Sequence, residues 1–211
     1  MTIMTRLLLA SALVALPLAG ASQNTRFSDP DTVIKEQFWG QLYRSGGTSF
    51  FCNKTFTSKG FLLTDGYIYP LSHVRSALRC GTPSQCSQDP RYQQIASDLH
   101  NIVPVHARIE LRRRNAIYEE LDDGIEVREC GIRESAQFME PPAGVKGDIA
   151  RAVGYMVDAY SLPWVGADTV FKAWNEQDPP DDRELTRHRQ IVELQGNENR
   201  FVTDPGSLAR L

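Results

Sequence analysis

Leu7 to Leu18 is a twelve-residue apolar stretch, preceded by Arg6 and followed by Ala19-Gly20-Ala21. A positive residue, a short apolar core and an A-x-A site are the parts of a secretory signal peptide. The stretch is shorter than the roughly 20 residues that cross a bilayer as a helix. No other segment is long and apolar enough to do so. The expectation is a cleaved signal peptide at residues 1–21 and a mature domain at 22–211, periplasmic or secreted, with no membrane anchor. An oxidising destination constrains the fold, because Cys52, Cys80, Cys86 and Cys130 then read as two disulfides. Cys80 and Cys86 enclose the turn-rich Gly81-Thr82-Pro83-Ser84-Gln85, which can close locally, and that would leave Cys52 with Cys130. Four cysteines allow three pairings, and spacing alone does not choose among them. A zinc site is the alternative, against which stands the lack of any C-x-x-C pair.

The 211 residues, 41% hydrophobic and 23% charged, suit a globular domain. Removing residues 1–21 takes away only Arg6, so 22 basic residues face 26 acidic ones and the net charge moves from −3 to −4. A protein coated in positive charge is excluded, and any nucleic-acid contact must use a local basic patch.

Residues 22–31 are polar and expected to be loose. Thr32 to Tyr43 has helical spacing, with Asp31 or Thr32 as N-cap. "GGTSFFCNKTF" and "GYIYPLSHV" read as strands broken by "TSKG" and "TDG" turns. "DPRYQQIASDLHNIV" reads as a helix start and a short strand, and Pro104 as the first turn of a helix over "VHARIELRRRN". "DDGIEVRECGI" is a turn and an alternating strand. "KGDIARAVGYMVDAY" is an amphipathic helix with Ile149, Val153, Met156 and Val157 on one face. "DTVFKAWNEQ" and "DRELTRHRQIVELQGN" are further helices, the last capped by Gly196. With strands gathered before residue 130, this is a mixed, predominantly helical α+β single domain.

Chemistry concentrates in residues 66–115. A strand delivers His73, and a helix delivers Glu110, with His106 one turn earlier and Arg113 and Arg114 within about a turn. A neutral imidazole takes a proton from water near neutral pH. A carboxylate holds Mg²⁺ while waters fill its other positions. Guanidinium groups grip phosphate oxygens. These are the parts of phosphodiester hydrolysis. "RIELRRRN" is also what a solvated helix face with intrahelical ion pairs looks like, since Glu110 stands at i,i+3 and i,i+4 to the two arginines. His106 and Glu110, at i,i+4, form an alternative pair for Zn²⁺ or Mn²⁺. His100 is expected to orient a strand, His188 to lie on a helix surface, and Trp164 and Trp174 to pack.

From about residue 35 to 205 the chain resembles the bacterial endonuclease I family, nucleases of the ββα-metal or His-Me finger type. "DLHNIVP", "FMEPP", "KGDIARAVGYM" and "AWNEQDPPDDRELTRHRQIVELQGNENRF" are similar, in order, to that family's segments. The resemblance implies a ββα-metal finger with short antiparallel strands, His73 as general base, and Cys80–Cys86 and Cys52–Cys130 as the disulfides. It departs at the centre. Where the family has Glu before its His, this chain has Ser72, and where it has a ligand Asn, nine residues after Asn101, this chain has Glu110. One carboxylate is available in either arrangement. The expectation is that Glu110 is the principal Mg²⁺ ligand, with Ser72 weak or water-mediated, and Mn²⁺ or Ca²⁺ as substitutes. The family's arginine between paired cysteines has no counterpart in Cys80–Cys86, which leaves Arg75, Arg79 or Arg91 for that role. Arg113 and Asn115 match the family's R-x-N.

The implied function is an exported, Mg²⁺-dependent, monomeric endonuclease acting on DNA, and on RNA, with little sequence preference and 5′-phosphate products. Its substrate contacts would be Arg75, Arg79, Arg113, Arg114 and Asn115. The alternative is a catalytically inactive nucleic-acid-binding protein of the same fold, and a further rival is an exported interaction domain with no nucleic-acid role.

Overall fold

The computed structural model describes residues 22–113, 115–127 and 130–211. The expected signal peptide and Arg114 lie outside them.

The chain opens on one α-helical turn, α1 (Pro30–Thr32), that runs into a π-helix, Val33–Leu42. The cap is Asp29, whose carboxylate accepts from the Thr32 backbone N–H at 3.3 Å and hydroxyl at 2.8 Å, so the helix is capped ahead of both expected positions, Asp31 and Thr32. The preceding segment is not loose. Asn24 is fully buried and bonds Phe27, Gln94 and the Tyr160 hydroxyl.

Strands β1 (Gly47–Thr48) and β2 (Thr55–Phe56) form a small antiparallel pair. Strand β3 (Leu63–Tyr67) is followed by helices α2 (Leu71–Leu78), α3 (Pro83–Cys86) and α4 (Pro90–Ala96), a 3₁₀ turn (Leu99–Asn101), and strand β4 (Ile102–His106). β3 and β4 pair antiparallel, from Leu63 opposite His106 to Tyr67 opposite Ile102. Helix α5 (Ala107–Arg113) leaves directly from β4. Pro104 therefore lies in a strand rather than opening a helix. A two-stranded ladder has only edge strands, where a missing N–H is tolerated.

A four-stranded sheet follows, in the order β5 (Ile117–Tyr118), β8 (Phe138–Glu140), β7 (Ile132–Ser135), β6 (Ile125–Val127), with β5–β8 parallel and the other pairs antiparallel. Strands thus extend past residue 130, contrary to expectation, because these are too short to carry a clear alternation.

The helical half is α6 (Lys146–Tyr160), α7 (Asp168–Gln177), α8 (Asp182–Gln195) and α9 (Arg200–Thr203). Of the expected face of α6, Ile149, Val153 and Met156 are fully buried, and Val157 is half-buried against the same core. Gly147 admits α7's end so closely that a Cβ there would stand 1.8 Å from the Asp178 carbonyl oxygen. Gly196 ends α8 at φ 86°, and Trp174 is in the core. About half the residues are helical and the strands are short, which is the expected α+β class. Of two disulfides, Cys52–Cys130 ties the segment after β1 to the start of β7, and Cys80–Cys86 closes the connection between α2 and α3. No described helix is long and apolar enough to cross a membrane.

Candidate active site

β3 ends at Tyr67, and Asn101 takes over where the ladder stops. Its carbonyl accepts from Ile68 N–H at 2.9 Å, and its side chain bonds both N–H and C=O of Tyr69 at 2.6 and 3.0 Å. Pro70, extended at ψ 135°, then starts α2. His73 accordingly sits in the first turn of a helix, not at the end of a strand. Val74, fully buried, anchors that turn. The His73 ring lies edge-on to Tyr69, and its Nε2 stands 3.4 Å from the Asn115 carbonyl oxygen. A carbonyl can only accept, so this contact favours the tautomer with hydrogen on Nε2 and a lone pair on Nδ1.

Glu110 is seated over β3 at Gly66, where an added Cβ would come 2.7 Å from its Oε2. Both its oxygens accept from Arg113, at 2.9 Å on Oε1 and at 2.9 and 3.1 Å on Oε2. Arg113 has a side chain only 1% exposed, against 27% for Glu110. Its Nη1 also reaches the Tyr118 hydroxyl at 3.3 Å and the Ile68 carbonyl at 3.5 Å, and its guanidinium lies over the Phe51 ring. Arg113 is thus not a surface clamp for substrate phosphate, as expected from its spacing, but the buried partner of Glu110. The intrahelical ion pair visible in the sequence is real, and it lies on the inward side of the helix.

The Ser72 hydroxyl is buried and has no hydrogen-bond partner among the described residues. Arg75 is half-buried on α2, and Arg79 is exposed at its left-handed C-cap, φ 52°. Neither guanidinium has a hydrogen-bond or ion-pair partner among the described residues. Arg91 instead donates to the Tyr160 carbonyl at 3.0 Å, which ties it to the scaffold. Asn115 is exposed.

His106 is the last residue of β4, so it is not one helical turn before Glu110. Burial, then Lys54 and Arg108, hold its imidazole pKa below the usual value. His100 is structural, as expected. It is buried, bonds the Asn197 carbonyl at 3.0 Å, and is driven down to about 4 chiefly by burial. His188 is not on the surface: it packs 5.4 Å from His100, because this side of α8 covers the Leu99–Asn101 turn. Among the described residues, no three His, Cys, Asp or Glu side chains cluster so as to hold a metal.

Sequence reasoning missed Gly66, Tyr118 and the bridging part of Asn101. Gly66 reads as a turn signal in "TDG" although it lies within β3. The "DLHN" motif contains Asn101 but carries no sign of what it bonds.

The sequence pattern of the Endonuclease I family matches residues 28–206. The chain is 27% identical to a periplasmic deoxyribonuclease of Aeromonas hydrophila over 90% of both chains. It is 28% identical to Endonuclease-1 of Buchnera aphidicola, over 64% of this chain and 55% of that one. An extracellular ribonuclease of Bacillus subtilis is 31% identical over 52% of this chain, which spans 44% of its length. The chain therefore covers about half of the last two relatives and nearly all of the first. The family match extends from before α1 to beyond α9, with the β3–β4 pair and α5 inside its bounds, and the chain belongs to the endonuclease I family.

Proposed function

We propose that this protein is an exported, Mg²⁺-dependent endonuclease that hydrolyses phosphodiester bonds in DNA, and in RNA, with little sequence preference. The observation that carries the reading is the His73 ring. With Nε2 turned to the Asn115 carbonyl, Nδ1 is the basic nitrogen, and it takes a proton from the attacking water. β3, β4 and α5 are then the ββα unit of a His-Me finger. Relatives named deoxyribonuclease and ribonuclease support both substrates, and relatives named periplasmic and extracellular support export, as do the two disulfides.

The oxygen donors fit a magnesium ion that keeps most of its waters. A carboxylate has about four lone-pair sites, so Glu110 retains acceptor capacity beyond its bonds to Arg113. Ser72 adds a buried hydroxyl with no hydrogen-bond partner among the described residues. Glu110, assisted by Ser72, would hold the ion, which would supply charge neutralisation for the phosphate under attack and the departing oxygen. Arg113 fixes the direction of the Glu110 carboxylate. Arg75 and Arg79, with guanidiniums uncommitted among the described residues, hold flanking phosphates, and Arg114 and Asn115 stand beside them in sequence. Contacts of this kind read backbone rather than bases, hence the low sequence preference.

One observation favours the second reading, a nucleic-acid-binding protein that does not cut. Arg113 already neutralises Glu110, and Ser72 brings no charge. Nicking of supercoiled plasmid by the oxidised protein decides between them. In Mg²⁺ the wild type cuts and in EDTA it does not, while His73→Ala lowers cutting by about 10²- to 10⁴-fold. Glu110→Ala abolishes cutting and weakens Mg²⁺ binding measured by calorimetry. DNA bound in EDTA and cut under no metal establishes the second reading.

A further inference from the structure

We infer that Phe61 is a base-stacking contact for single-stranded or unpaired nucleic acid, an inference that rests on the nuclease reading above. Four large hydrophobic side chains are exposed among the described residues: Phe61 at 93%, Leu62 at 59%, Leu111 at 62% and Ile125 at 76%. Three of these belong to the β3–β4–α5 unit. Phe61 and Leu62 are the central residues of the turn closed by Leu63 N–H on the Gly60 carbonyl, 3.1 Å. Such positions ordinarily take Gly, Pro, Asn, Asp or Ser. Phe61 buries almost nothing there, so folding gives no reason for it. The Leu62 carbonyl accepts from Ala107 N–H at 2.9 Å, which docks the turn on the start of α5. Leu111 lies one helical turn further along α5, on the Ala107 face. Glu110 is on the same helix.

Lysine and arginine border the turn in a chain that is acidic as a whole, and the Asp65 carboxylate on β3 accepts from Trp39 Nε1 at 3.4 Å. Lys59 precedes the turn and stands over the Trp39 ring at 5.1 Å. Lys54 and Arg108 both lie close enough to His106 to depress its pKa, and His106 is paired with Leu63, the residue after Leu62. The nearest acid on α5, Glu110, is held by Arg113. Exposed aromatic and aliphatic side chains bordered by lysine and arginine match the two faces of a nucleic acid strand, the base and the phosphate. Stacking does not discriminate among bases, which agrees with low sequence preference. Three apolar side chains are too few for a stable protein interface, which needs about 1,000 Å².

The test is binding of a labelled single-stranded oligonucleotide to the full mature chain in EDTA, where the metal reading has no influence. Wild type, Phe61→Ala, Phe61→Trp and Ile125→Ala are compared. Phe61→Ala weakens binding about tenfold, within the range for loss of one stacked base, and leaves the thermal midpoint unchanged. Phe61→Trp keeps the affinity, and its added indole emission is quenched by the oligonucleotide. Ile125→Ala, removing the exposed hydrophobe outside the unit, binds as wild type. Wild-type affinity in Phe61→Ala, or unquenched emission in Phe61→Trp, overturns the inference and leaves the nuclease reading intact. Failure of the wild type to bind the oligonucleotide in EDTA overturns the inference, and nicking of plasmid in Mg²⁺ then decides the nuclease reading separately. Loss of binding to anionic vesicles in Phe61→Ala, with oligonucleotide binding unchanged, assigns the turn to a lipid surface instead.

Discussion

Arg151 and Arg113 are both buried, and each is held by a glutamate, but the two pairs end in different places. Arg151, fully buried on α6, donates to both oxygens of Glu184 at 2.5 to 3.0 Å, to the Asp178 carbonyl at 2.8 Å, and to Asn175 and Asp148 at 3.3 Å. The Glu184 side chain is 7% exposed, so the pair is closed on every side. Arg113 is equally enclosed, by Tyr118, Ile68 and Phe51, yet its glutamate is 27% exposed. In the first case an ion pair locks α6 to α8. In the second, a guanidinium below the surface fixes a carboxylate that still faces solvent. The same residue types thus make a scaffold lock in one region and a presented oxygen pair in the other, and only the outer side of the glutamate distinguishes them.

The largest expected effect tests that distinction directly. Glu184→Gln leaves Arg151 buried with a weaker partner, and the expected loss of folding stability is about 3–5 kcal/mol. Glu110→Gln lets water reach the exposed side of the pair and keeps one amide acceptor, so the expected loss is about 1–3 kcal/mol. Urea unfolding of both variants, compared with wild type, measures the gap. Equal losses would show that the outer face of Glu110 does not matter to its pairing, and the comparison would fail.

How much of this was legible in the sequence differs between the same two regions. The lock lies on helices whose apolar spacing was readable: α6, α7 and α8 fall where periodicity and Gly196 put them. Around the site, the residue types were readable and their settings were not. His73 was expected on a strand, but β4 begins only opposite Tyr67, and Pro70 then starts a helix. Pro104 looked like a helix start because its fit to a first helical turn is a local property, whereas its place in a two-stranded ladder depends on a partner some forty residues away. Glu110 and Arg113 were visible as an i,i+3 pair. That Arg113 points inward depends on Tyr118 and Phe51, whose approach no local pattern encodes.

A smaller effect is expected in the pH dependence of the closed pair. Asp148 lies beside it, and its carboxyl is pushed up to about 7, first by burial and then by Glu184, against the pull of Arg151 and Arg183. Asp181 adds to the upward push. A carboxyl whose pKa is higher folded than unfolded binds more protons in the native state. Its contribution is therefore fully present below the unfolded value of 3.8 and is lost as pH rises through about 7. Removing the ionisation in Asp148→Asn should make stability fall less between pH 4 and 7 than it does in wild type, by on the order of 2 kcal/mol. Chemical unfolding at several pH values within that window measures it. Identical pH profiles for the two proteins would mean that Asp148 is ionised throughout, and that the closed pair carries a second full negative charge.

The smallest effect is expected one residue from Arg113. Arg112 makes a well-formed pair with Glu134, at 2.7 and 3.1 Å, but its side chain is 50% exposed. By distance alone, Arg112–Glu134 and Arg113–Glu110 look alike. They differ in what surrounds the cation. Water solvates Arg112 as well as Glu134 does, and salt screens the attraction between them. Arg112→Ala should therefore leave the unfolding midpoint within error of wild type, at low and at high salt. Arg113→Ala removes a buried side chain as well as the ion pair, and should lower the midpoint clearly. A salt-sensitive loss in Arg112→Ala comparable to that in Arg113→Ala would mean that burial is not what separates the two neighbouring arginines, and the contrast between enclosed and open pairs would have to be drawn from geometry instead.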